Sequence, residues 1–426
     1  MLNLVGVITS FGVIIFLIRK KWNFGISLLI GSVIVGFFSL QEIQPIDIVK
    51  TFAQACIYSF DRGEIATATL ELAFIMILIN ILAVAMQETG AMTKLINNLR
   101  RMFSKGAVLA VTPAVFGLLP VPGGALFSAP MVDKEGDKFG VSNEDKTLLN
   151  VWFRHIWFFI YPLSSAMILI CSRDFSNINI YHLVAVQFPA FLVMILIGVI
   201  LLRESIPEKT SKESGNKDKD NFDKNGIIYL TPIIAPILLS ILISTFLHVS
   251  STTSILISLP SGILSLFAIA KTPDKEMTKI LRKGLSWKLP LAIVGIMVFR
   301  EMILTSKAVD IIANTVNSSN IPAVLIVVSV PFILGLITGY NLGGVALSYP
   351  IVEPFFSSLG GNMVAFASLV FTSSLVGYVM SPIHLCMVVT CEYFKTDLSN
   401  IYKRFIPAAF SLLLINTIIV MVIMWR

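Results

Sequence analysis

Hydrophobic residues fall into twelve long runs that are separated by short polar segments. Most runs approach the roughly 20 apolar residues that a helix needs to cross the hydrocarbon core of a bilayer. The pattern therefore predicts an all-α polytopic membrane protein. The runs are 2–18, 22–40, 65–88, 106–132, 147–171, 180–202, 226–248, 252–270, 289–306, 321–352, 362–391 and 405–425.

Two of these runs contain too many helix breakers to form a straight span. The run 106–132 carries four prolines and a Gly-Gly pair at 123–124, and the run 321–352 carries three prolines and a Gly-Gly pair at 343–344. An internal proline removes a backbone hydrogen bond and clashes with the preceding turn. Broken at its glycine pair, each run becomes two arms of roughly 20–24 Å, too short for a ~30 Å core. We therefore predict two re-entrant hairpins whose tips lie near the membrane midplane.

The distribution of basic residues supports about ten transmembrane helices with both hairpins re-entrant. If the N-terminus lies outside, 25 of the 32 Lys and Arg residues fall in cytoplasmic loops, five lie outside and two lie within spans. Loops on the cytoplasmic side of membrane proteins carry such an excess. We expect a multi-pass protein of a prokaryotic inner membrane with both termini outside.

The chain divides into two similar parts. Residues 1–203 and 226–426 flank a charged, apolar-poor stretch, 204–225, which we expect to be a cytoplasmic linker. At an offset of 220 positions, 10 of the 49 residues from 123 to 171 are identical, including the Gly-Gly pair and a later proline. Five crossings in each part is an odd number, so the second part must enter the membrane upside down. Such inverted-topology repeats are typical of secondary transporters.

Two amphipathic stretches, 45–60 and 273–288, occupy matching places in the two parts. Each precedes the third span of its part and has the pattern of a helix that lies in the membrane interface. The correspondence therefore extends beyond the hairpins.

Inverted-repeat transporters bind substrate where interrupted helices expose backbone groups. The interruptions here are the two hairpin tips and the proline breaks at 161–165 and 381–384. Glycine lets backbone approach a ligand closely, and helix N-termini attract anions. If these residues serve only packing and kinks, no site follows, but paired breaks in both parts favour a site. The candidate substrate-binding residues are Pro122, Gly123, Gly124, Ser128, Ser164, Ser165, Thr338, Asn341, Gly343, Gly344, Ser348, Ser381, His384 and Arg300, and a coupling Na⁺ could lie near Ser128, Asn341 and Ser348.

Charged residues inside spans are costly and usually functional. Arg300 could clamp a substrate carboxylate or form a structural salt bridge with Glu71 or Glu301. Arg154 is expected to extend towards the cytoplasmic face. His384, beside a proline break, is either a ligand or a buried histidine with internal partners.

Composition narrows the function. The chain is 56% hydrophobic and only 13% charged, with a mean hydropathy of +0.85, which excludes a soluble enzyme, a disordered protein and a nucleic-acid binder. The net charge of +7 is explained by the cytoplasmic loops. The four cysteines form no CxxC pair and are interpreted as packing residues. ATP-binding, HExxH and GxSxG motifs do not occur, so we expect neither an enzyme nor a bound cofactor.

The hairpins, the broken helices and the inverted parts together resemble the ion transporter superfamily, which includes gluconate permeases, dicarboxylate/sodium symporters and arsenite permeases. The run Leu-Pro-Val-Pro-Gly-Gly-Ala-Leu-Phe-Ser-Ala-Pro at 119–130 is most similar to the uncharacterised prokaryotic family "domain of unknown function 401". The resemblance implies a homodimer in which an elevator-like transport part moves against a scaffold, and a small organic anion as substrate. Dicarboxylate symporters carry Ser-Asn-Thr at each tip. The tips at 120–124 and 339–344 differ, which argues against dicarboxylate specificity.

We therefore expect a secondary active transporter for a small organic anion such as a carboxylate, coupled to Na⁺ or H⁺. An ion channel and a membrane-embedded enzyme are the alternatives. A channel would favour continuous pore-lining helices or a ring of like residues, which the two non-identical hairpins do not suggest. An enzyme would need a convergent cluster of catalytic side chains.

Overall fold

The computed structural model describes residues 2–59, 63–102, 106–118, 124–207, 228–319 and 321–424. These ranges contain twenty α-helices, short 3-10 turns and one antiparallel ribbon of two-residue strands, β1 (Tyr58–Ser59) and β2 (Glu64–Ile65). The first ten helices are α1 Leu2–Arg19, α2 Phe24–Phe38, α3 Pro45–Cys56, α4 Thr67–Glu88, α5 Ala91–Met102, α6 Val108–Gly117, α7 Ala125–Lys138, α8 Asn143–Arg154, α9 Ser165–Cys171 and α10 Ile180–Ser205. The second ten are α11 Thr231–Leu247, α12 Ser251–Ala270, α13 Asp274–Gly284, α14 Lys288–Thr305, α15 Ala308–Ser318, α16 Ala323–Thr338, α17 Asn341–Val352, α18 Met363–Met380, α19 Leu385–Phe394 and α20 Leu398–Met424.

The chain is a multi-pass membrane protein by helix length and hydropathy. Among the described residues, seven helical stretches are long and apolar enough to cross a bilayer. An eighth is formed if the stretch Asp274–Thr305 and the helix Ala308–Val316, which meet at a bend of 66°, are one broken span. Two predicted crossings, 22–40 and 147–171, do not form single helices of spanning length. Helix α2 has only 15 residues, and the run 147–171 is divided between α8, a 3-10 turn and α9.

Helices follow the same order in the two parts of the chain, and their contacts are reciprocal. Helix α2 packs on α14 while α12 packs on α4, and α3 packs on α14 while α13 packs on α4. In the same way α7 contacts α19 while α17 contacts α9. In these three pairs of contacts, each helix of the first part has a counterpart ten helices later with exchanged partners.

Two groups of helices result from these contacts. The first bundle consists of α1–α4 and α11–α14, and the hairpin bundle consists of α6–α10 and α16–α20. The core of the hairpin bundle is the more deeply buried, and almost every residue of α17 and α18 is inaccessible to solvent. Contacts of α14 with α17, and of Phe24 with the second hairpin, join the two bundles.

The second hairpin reverses direction at Gly339–Tyr340. Gly339 caps α16 in the left-handed region with φ of +60°, and its N–H donates to the Gly335 carbonyl at 3.0 Å. Gly344 then packs on Gly335 across the turn, so α16 and α17 lie side by side. The predicted break at Gly343-Gly344 is wrong, because both residues lie inside the first turns of α17. In the first hairpin α6 also packs on α7, but 119–123, including the predicted tip residues Pro122 and Gly123, lie outside the described residues.

Both predicted proline breaks are present, and the backbone makes the same kind of turn at each. Before α9 the Ser164 N–H donates to the Tyr161 carbonyl at 3.0 Å, and before α19 the His384 N–H donates to the Ser381 carbonyl at 3.1 Å. These pairs are 220 residues apart, as the sequence offset requires. The proline in each turn cannot donate a backbone hydrogen bond, so the helix stops and restarts.

The same offset relates other local features. Gly140 and Gly360 both take positive φ, of +66° and +87°, just before the N-terminus of a long helix. Two residues later Ser142 and Asn362 cap α8 and α18, and each side chain accepts from a backbone N–H at 3.1 Å. Capping groups of this kind satisfy donors that a helix start leaves free. At these two pairs of positions, equivalent residues therefore form equivalent structure in the two parts.

Both predicted amphipathic helices are present. Helix α3 begins at Pro45, where the carboxylate of Asp47 accepts from the Gln44 backbone N–H at 2.9 Å. Helix α13 has acidic residues in its first turn and basic residues in its last, which complements the helix dipole.

Candidate functional site

In the hairpin bundle the proline breaks lie near Gly124, which ends the first tip, and near Gly339 and Tyr340 of the second tip. Gly124 is the N-cap of α7 at the end of the first tip, and Tyr340 is the N-cap of α17 at the second. Gly339 packs on Ser381 of one break, and the Tyr340 side chain lies near Ser165 in the other. The helices α7, α9, α17 and α19 therefore start close to one another.

Arg154 lies at the centre of this arrangement. It is the last residue of α8 and is only 3% exposed. A Cβ on Gly124 would overlap its guanidinium group, and a Cβ on Gly117 would overlap its carbonyl oxygen. The expectation that Arg154 extends to the cytoplasmic face is therefore wrong. Glycine at 124 leaves the space that the guanidinium fills, and α8 ends beneath the hairpin tip.

The equivalent position in the second part holds a serine. Ser374 contacts Gly344 and Gly335 as Arg154 contacts Gly124 and Gly117. Its hydroxyl donates to the Asn341 side-chain oxygen at 3.0 Å, while the Asn341 amide nitrogen is buried without a hydrogen-bond partner among the described residues. Gly344 thus faces the interior of its own hairpin.

Gly343, the neighbour of Gly344 in the second tip, faces the first bundle. A Cβ on Gly343 would lie 3.0 Å from the ring of Phe24, which also packs edge-on against Tyr340 with centroids 5.6 Å apart. The two glycines therefore have different neighbours: Gly344 meets the Ser374 hydroxyl and the Gly335 backbone, and Gly343 meets an aromatic ring.

A compact cluster of titratable side chains lies beside Arg154. The rings of His155 and His384 have centroids 4.7 Å apart, and the Tyr378 ring is 4.2 Å from that of His384. Potential donor atoms of His155, His384 and Cys386 lie within 4.8 Å of one another, and all three residues are buried. Arg154 is within hydrogen-bonding reach of Cys386. The cluster combines one permanent positive charge with two imidazole rings.

The hydrogen bonds fix the role of His155. Its Nδ1 lies 2.7 Å from the Val151 carbonyl oxygen, so this nitrogen carries the proton. Its Nε2 then accepts from the Tyr378 hydroxyl at 3.4 Å. His384 differs, since neither of its ring nitrogens makes a hydrogen bond among the described residues. The Val379 carbonyl faces this ring without reaching hydrogen-bonding geometry.

Two imidazoles and a thiol are also a donor set that transition metals accept. A divalent cation would here share a buried site with the Arg154 guanidinium, and like charges at such proximity repel. The donor set therefore fits a metal ion poorly.

The predicted residue Ser128 lies one turn below the first tip in a buried polar group. Its hydroxyl donates to the Asn150 side-chain oxygen at 2.6 Å, and the Asn150 amide donates to the Ala125 carbonyl at 3.0 Å and to Thr390 at 3.2 Å. This network ties α7, α8 and α19 together. Its hydroxyl and amide donors are already engaged, which suits a structural role.

The other predicted polar residues cap turns or bond within their own helix. Thr338 and Ser348 donate to backbone carbonyls one turn earlier, and the Ser381 hydroxyl accepts from the Ile383 N–H. Ser164 is the N-cap of α9. No hydrogen bond joins Ser128, Asn341 and Ser348 in the part of the chain that the structure describes, and the Na⁺ expected near them stays a prediction.

Arg300 lies away from the tips. Its guanidinium is 3.7 Å from Glu301 and 3.6 Å from Glu353, and it stacks over Phe175 at 5.5 Å. Glu353 follows the far end of α17, twelve residues beyond Asn341 and roughly 18 Å along a helix. Of the two roles considered for Arg300, the salt bridge is present. Its partners are Glu301 and Glu353, while Glu71 lines a separate cavity with Thr252 and Thr253.

A buried lysine binds the C-terminal part of α7, the second arm of the first hairpin. The Lys146 ammonium group bonds Asp133 at 2.7 Å and also Asp137, both on α7. Burial alone would lower the pKa of Lys146, but its hydrogen bonds to the two aspartates raise that pKa above the ordinary lysine value. The interaction holds the second arm of the hairpin against α8.

Sequence reasoning missed three members of the central cluster. His155 is not among the predicted site residues, and Tyr378 and Cys386 lie in the apolar run 362–391, which gives them no signal of their own. Tyr378 and Cys386 each lie within three residues of the proline break at 381–384, and that position could have identified them. His155 could have been found from its place directly after Arg154.

A family model described as "Protein of unknown function (DUF401)" matches residues 3–424. The resemblance found in the hairpin sequence is therefore confirmed over nearly the whole chain. No curated protein matches it.

Proposed function

The chain belongs to the DUF401 family, and from this premise we propose that it is a secondary active transporter for a small organic anion such as a carboxylate. The observation that carries the proposal is the position of Arg154. A buried guanidinium beneath the Gly124 tip, next to a proline break, is a fixed positive charge where several helices start. Helix N-termini and guanidinium groups both bind carboxylates.

The architecture that we propose is a pair of inverted-topology repeats with about ten transmembrane helices and two re-entrant hairpins. The reciprocal contacts of α7 with α19 and of α17 with α9 support it. The tight turn between α16 and α17 supports re-entry of the second hairpin, because the two arms lie side by side. Membership of the ion transporter superfamily, a homodimer, an inner-membrane location and termini on the outside complete the proposal.

Transport would proceed by movement of the hairpin bundle against the first bundle, as in an elevator. Backbone packs directly on backbone within the hairpin bundle, since a Cβ on Gly377 would overlap the Phe332 carbonyl and a Cβ on Gly335 the Ser374 carbonyl. Interiors packed this closely move as units. Between the bundles, the second tip meets the first bundle through the side chain of Phe24.

The proposal is tested with purified protein and a matched pair of arginine variants. Thermal stabilisation by gluconate, succinate and phosphate identifies a bound anion, and uptake of that anion into proteoliposomes measures transport. Arg154→Gln should abolish stabilisation and uptake. Arg300→Gln removes an arginine whose partners are Glu301 and Glu353, and it should keep saturable uptake.

The results separate the alternatives. Uptake that saturates and follows an ion gradient supports a carrier, and flux that rises linearly with concentration supports a channel. Equal loss in both arginine variants, or stabilisation that survives Arg154→Gln, would contradict the assignment of the anion site.

A further inference from the structure

We propose that His384 binds the proton that drives the transporter, so that each anion crosses the membrane together with H⁺. The inference rests on the proposed function and names its coupling ion. It follows from a side chain that is 1% exposed, lies beside Arg154 and makes no hydrogen bond among the described residues.

A buried imidazole without partners is costly. The neutral ring carries one N–H donor and one acceptor nitrogen, and burying either without a partner costs stability. Both ring nitrogens of His384 are therefore available to bind groups that enter the site during transport. A carboxylate accepts from the N–H, and a proton occupies the acceptor nitrogen.

The neighbouring histidine cannot take this role. Both nitrogens of His155 are engaged, with the Val151 carbonyl at 2.7 Å and the Tyr378 hydroxyl at 3.4 Å. Protonation at Nε2 would break the second of these bonds, because the hydroxyl could no longer donate to it. His155 instead positions Tyr378 against the His384 ring.

The charges around His384 make proton binding depend on the anion. Arg154 of α8 is the charged group that acts on it in the described chain, and the other titratable groups that face it are His155, Tyr378 and Cys386. In the empty site burial and the Arg154 charge oppose protonation. A carboxylate between Arg154 and His384 cancels that charge and accepts a hydrogen bond. The anion and the proton therefore favour each other's binding, which is the thermodynamic condition for symport.

The transport step moves one proton. A proton from the water on the side of entry forms an N–H bond with a His384 ring nitrogen while the anion binds. After the hairpin bundle has moved, that bond breaks and the proton leaves with the anion to the other side. No other bond changes, and the empty carrier returns with neutral His384.

The test uses proteoliposomes with the membrane potential held at zero by valinomycin and equal potassium. Radiolabelled gluconate and succinate are the probes, and trapped pyranine reports protons that enter. For the wild type, a gradient of one pH unit should accumulate the transported probe about tenfold if one proton is coupled. Protein-free vesicles correct for passive entry of the free acid.

Two variants at His384 isolate the coupling. With His384→Gln, exchange of labelled for unlabelled anion should persist at weaker affinity, and pH-driven accumulation should fall to a ratio of about one. With His384→Arg the positive charge needs no proton, so exchange should again be uncoupled from pH. His182→Gln, an exposed histidine at the start of α10, is the control and should accumulate like the wild type.

The outcomes distinguish the two proposals. If the wild type exchanges anion but takes up no proton, or is driven by Na⁺ instead, His384 is not the coupling site and the transporter assignment stands. Accumulation driven by pH in either His384 variant also overturns the inference. If the wild type exchanges neither probe, the proposed function fails, and the inference fails with it.

Discussion

The two glycines at positions 343 and 344 provide a matched pair for testing how tightly the second hairpin is packed. They are adjacent in the first turns of α17, so replacement by alanine changes the intrinsic helix propensity at both by a similar amount, up to about 1 kcal/mol in favour of the variant. Their surroundings differ. A Cβ at 344 would overlap the Ser374 hydroxyl and lie 2.9 Å from the Gly335 Cα, and a Cβ at 343 would lie 3.0 Å from the end of the Phe24 ring.

The size of the effect follows from what can move. Ordinary contact begins near 3.4 Å, so at 344 the backbones of α16 and α17 must separate by about half an ångström. Overpacking of this kind costs about 1–3 kcal/mol. At 343 the Phe24 ring can turn aside at little cost. We therefore expect Gly344→Ala to be less stable than Gly343→Ala by about 1–3 kcal/mol, the latter being neutral or slightly stabilised.

Melting temperature in detergent measures the difference, with tryptophan fluorescence as the signal and both variants at matched concentration. Gly344→Ala should melt below the wild type and Gly343→Ala at or above it. Adding Ser374→Gly should restore only part of the loss, because the contact with Gly335 remains. If both single variants melt together, or Gly344→Ala melts higher, the close packing of the hairpin arms is refuted.

Two further predictions concern the first hairpin. Gly124→Ala should displace the Arg154 guanidinium and abolish anion uptake while changing the melting temperature little, because the clash is with a side chain; normal uptake would place the anion elsewhere. The Lys146 side chain is 2% exposed while those of Asp133 and Asp137 are 37% and 71% exposed, so unfolding in denaturant should show a larger loss for the double Asp→Asn variant than for Lys146→Met, since only the former leaves a buried charge unpaired. Because the folded-state pKa of Lys146 is raised, its contribution should be present at neutral pH and decline as alkaline pH passes that pKa, and Lys146→Met should lack this decline.

The helical segments and the two proline breaks could be predicted because they depend on local properties of the chain. Apolar length indicates a span, and a proline such as Pro162 or Pro382 ends a helix wherever it lies. The offset of 220 residues can also be read from the sequence, because it is found by comparing the chain with itself. The turns at Ser164 and His384 therefore agree with expectation.

The position of the second turn could not be predicted in this way. The second tip offers glycines at 339, 343 and 344, and each can take positive φ. Gly339 takes it because Gly344 is needed where two helices touch, a contact between residues on different arms. The choice depends on packing that no short stretch of sequence contains.

The central cluster could not be predicted from the sequence either, and the reason is again physical. Arg154 lies in the apolar run 147–171, close to the polar segment that precedes it, so its long side chain is expected to reach water. Its burial depends on the space left by Gly124, thirty residues earlier. Cys386 acquires its polar neighbours only when α19 packs on α8, and Tyr378 only when its hydroxyl meets His155.

The exchange of arginine for serine between positions 154 and 374 has a consequence for how such a molecule can evolve. If the two parts of the chain descend from one ancestral copy, both positions began with the same residue. Two guanidinium groups buried in one bundle repel each other, by about 2 kcal/mol at a separation of about 8 Å and an effective dielectric of 20. A duplicated gene therefore gains from losing one of the two charges. Divergence at the centre is favoured by electrostatics, while the surrounding glycines, which face only backbone and neighbouring side chains, are free to stay alike.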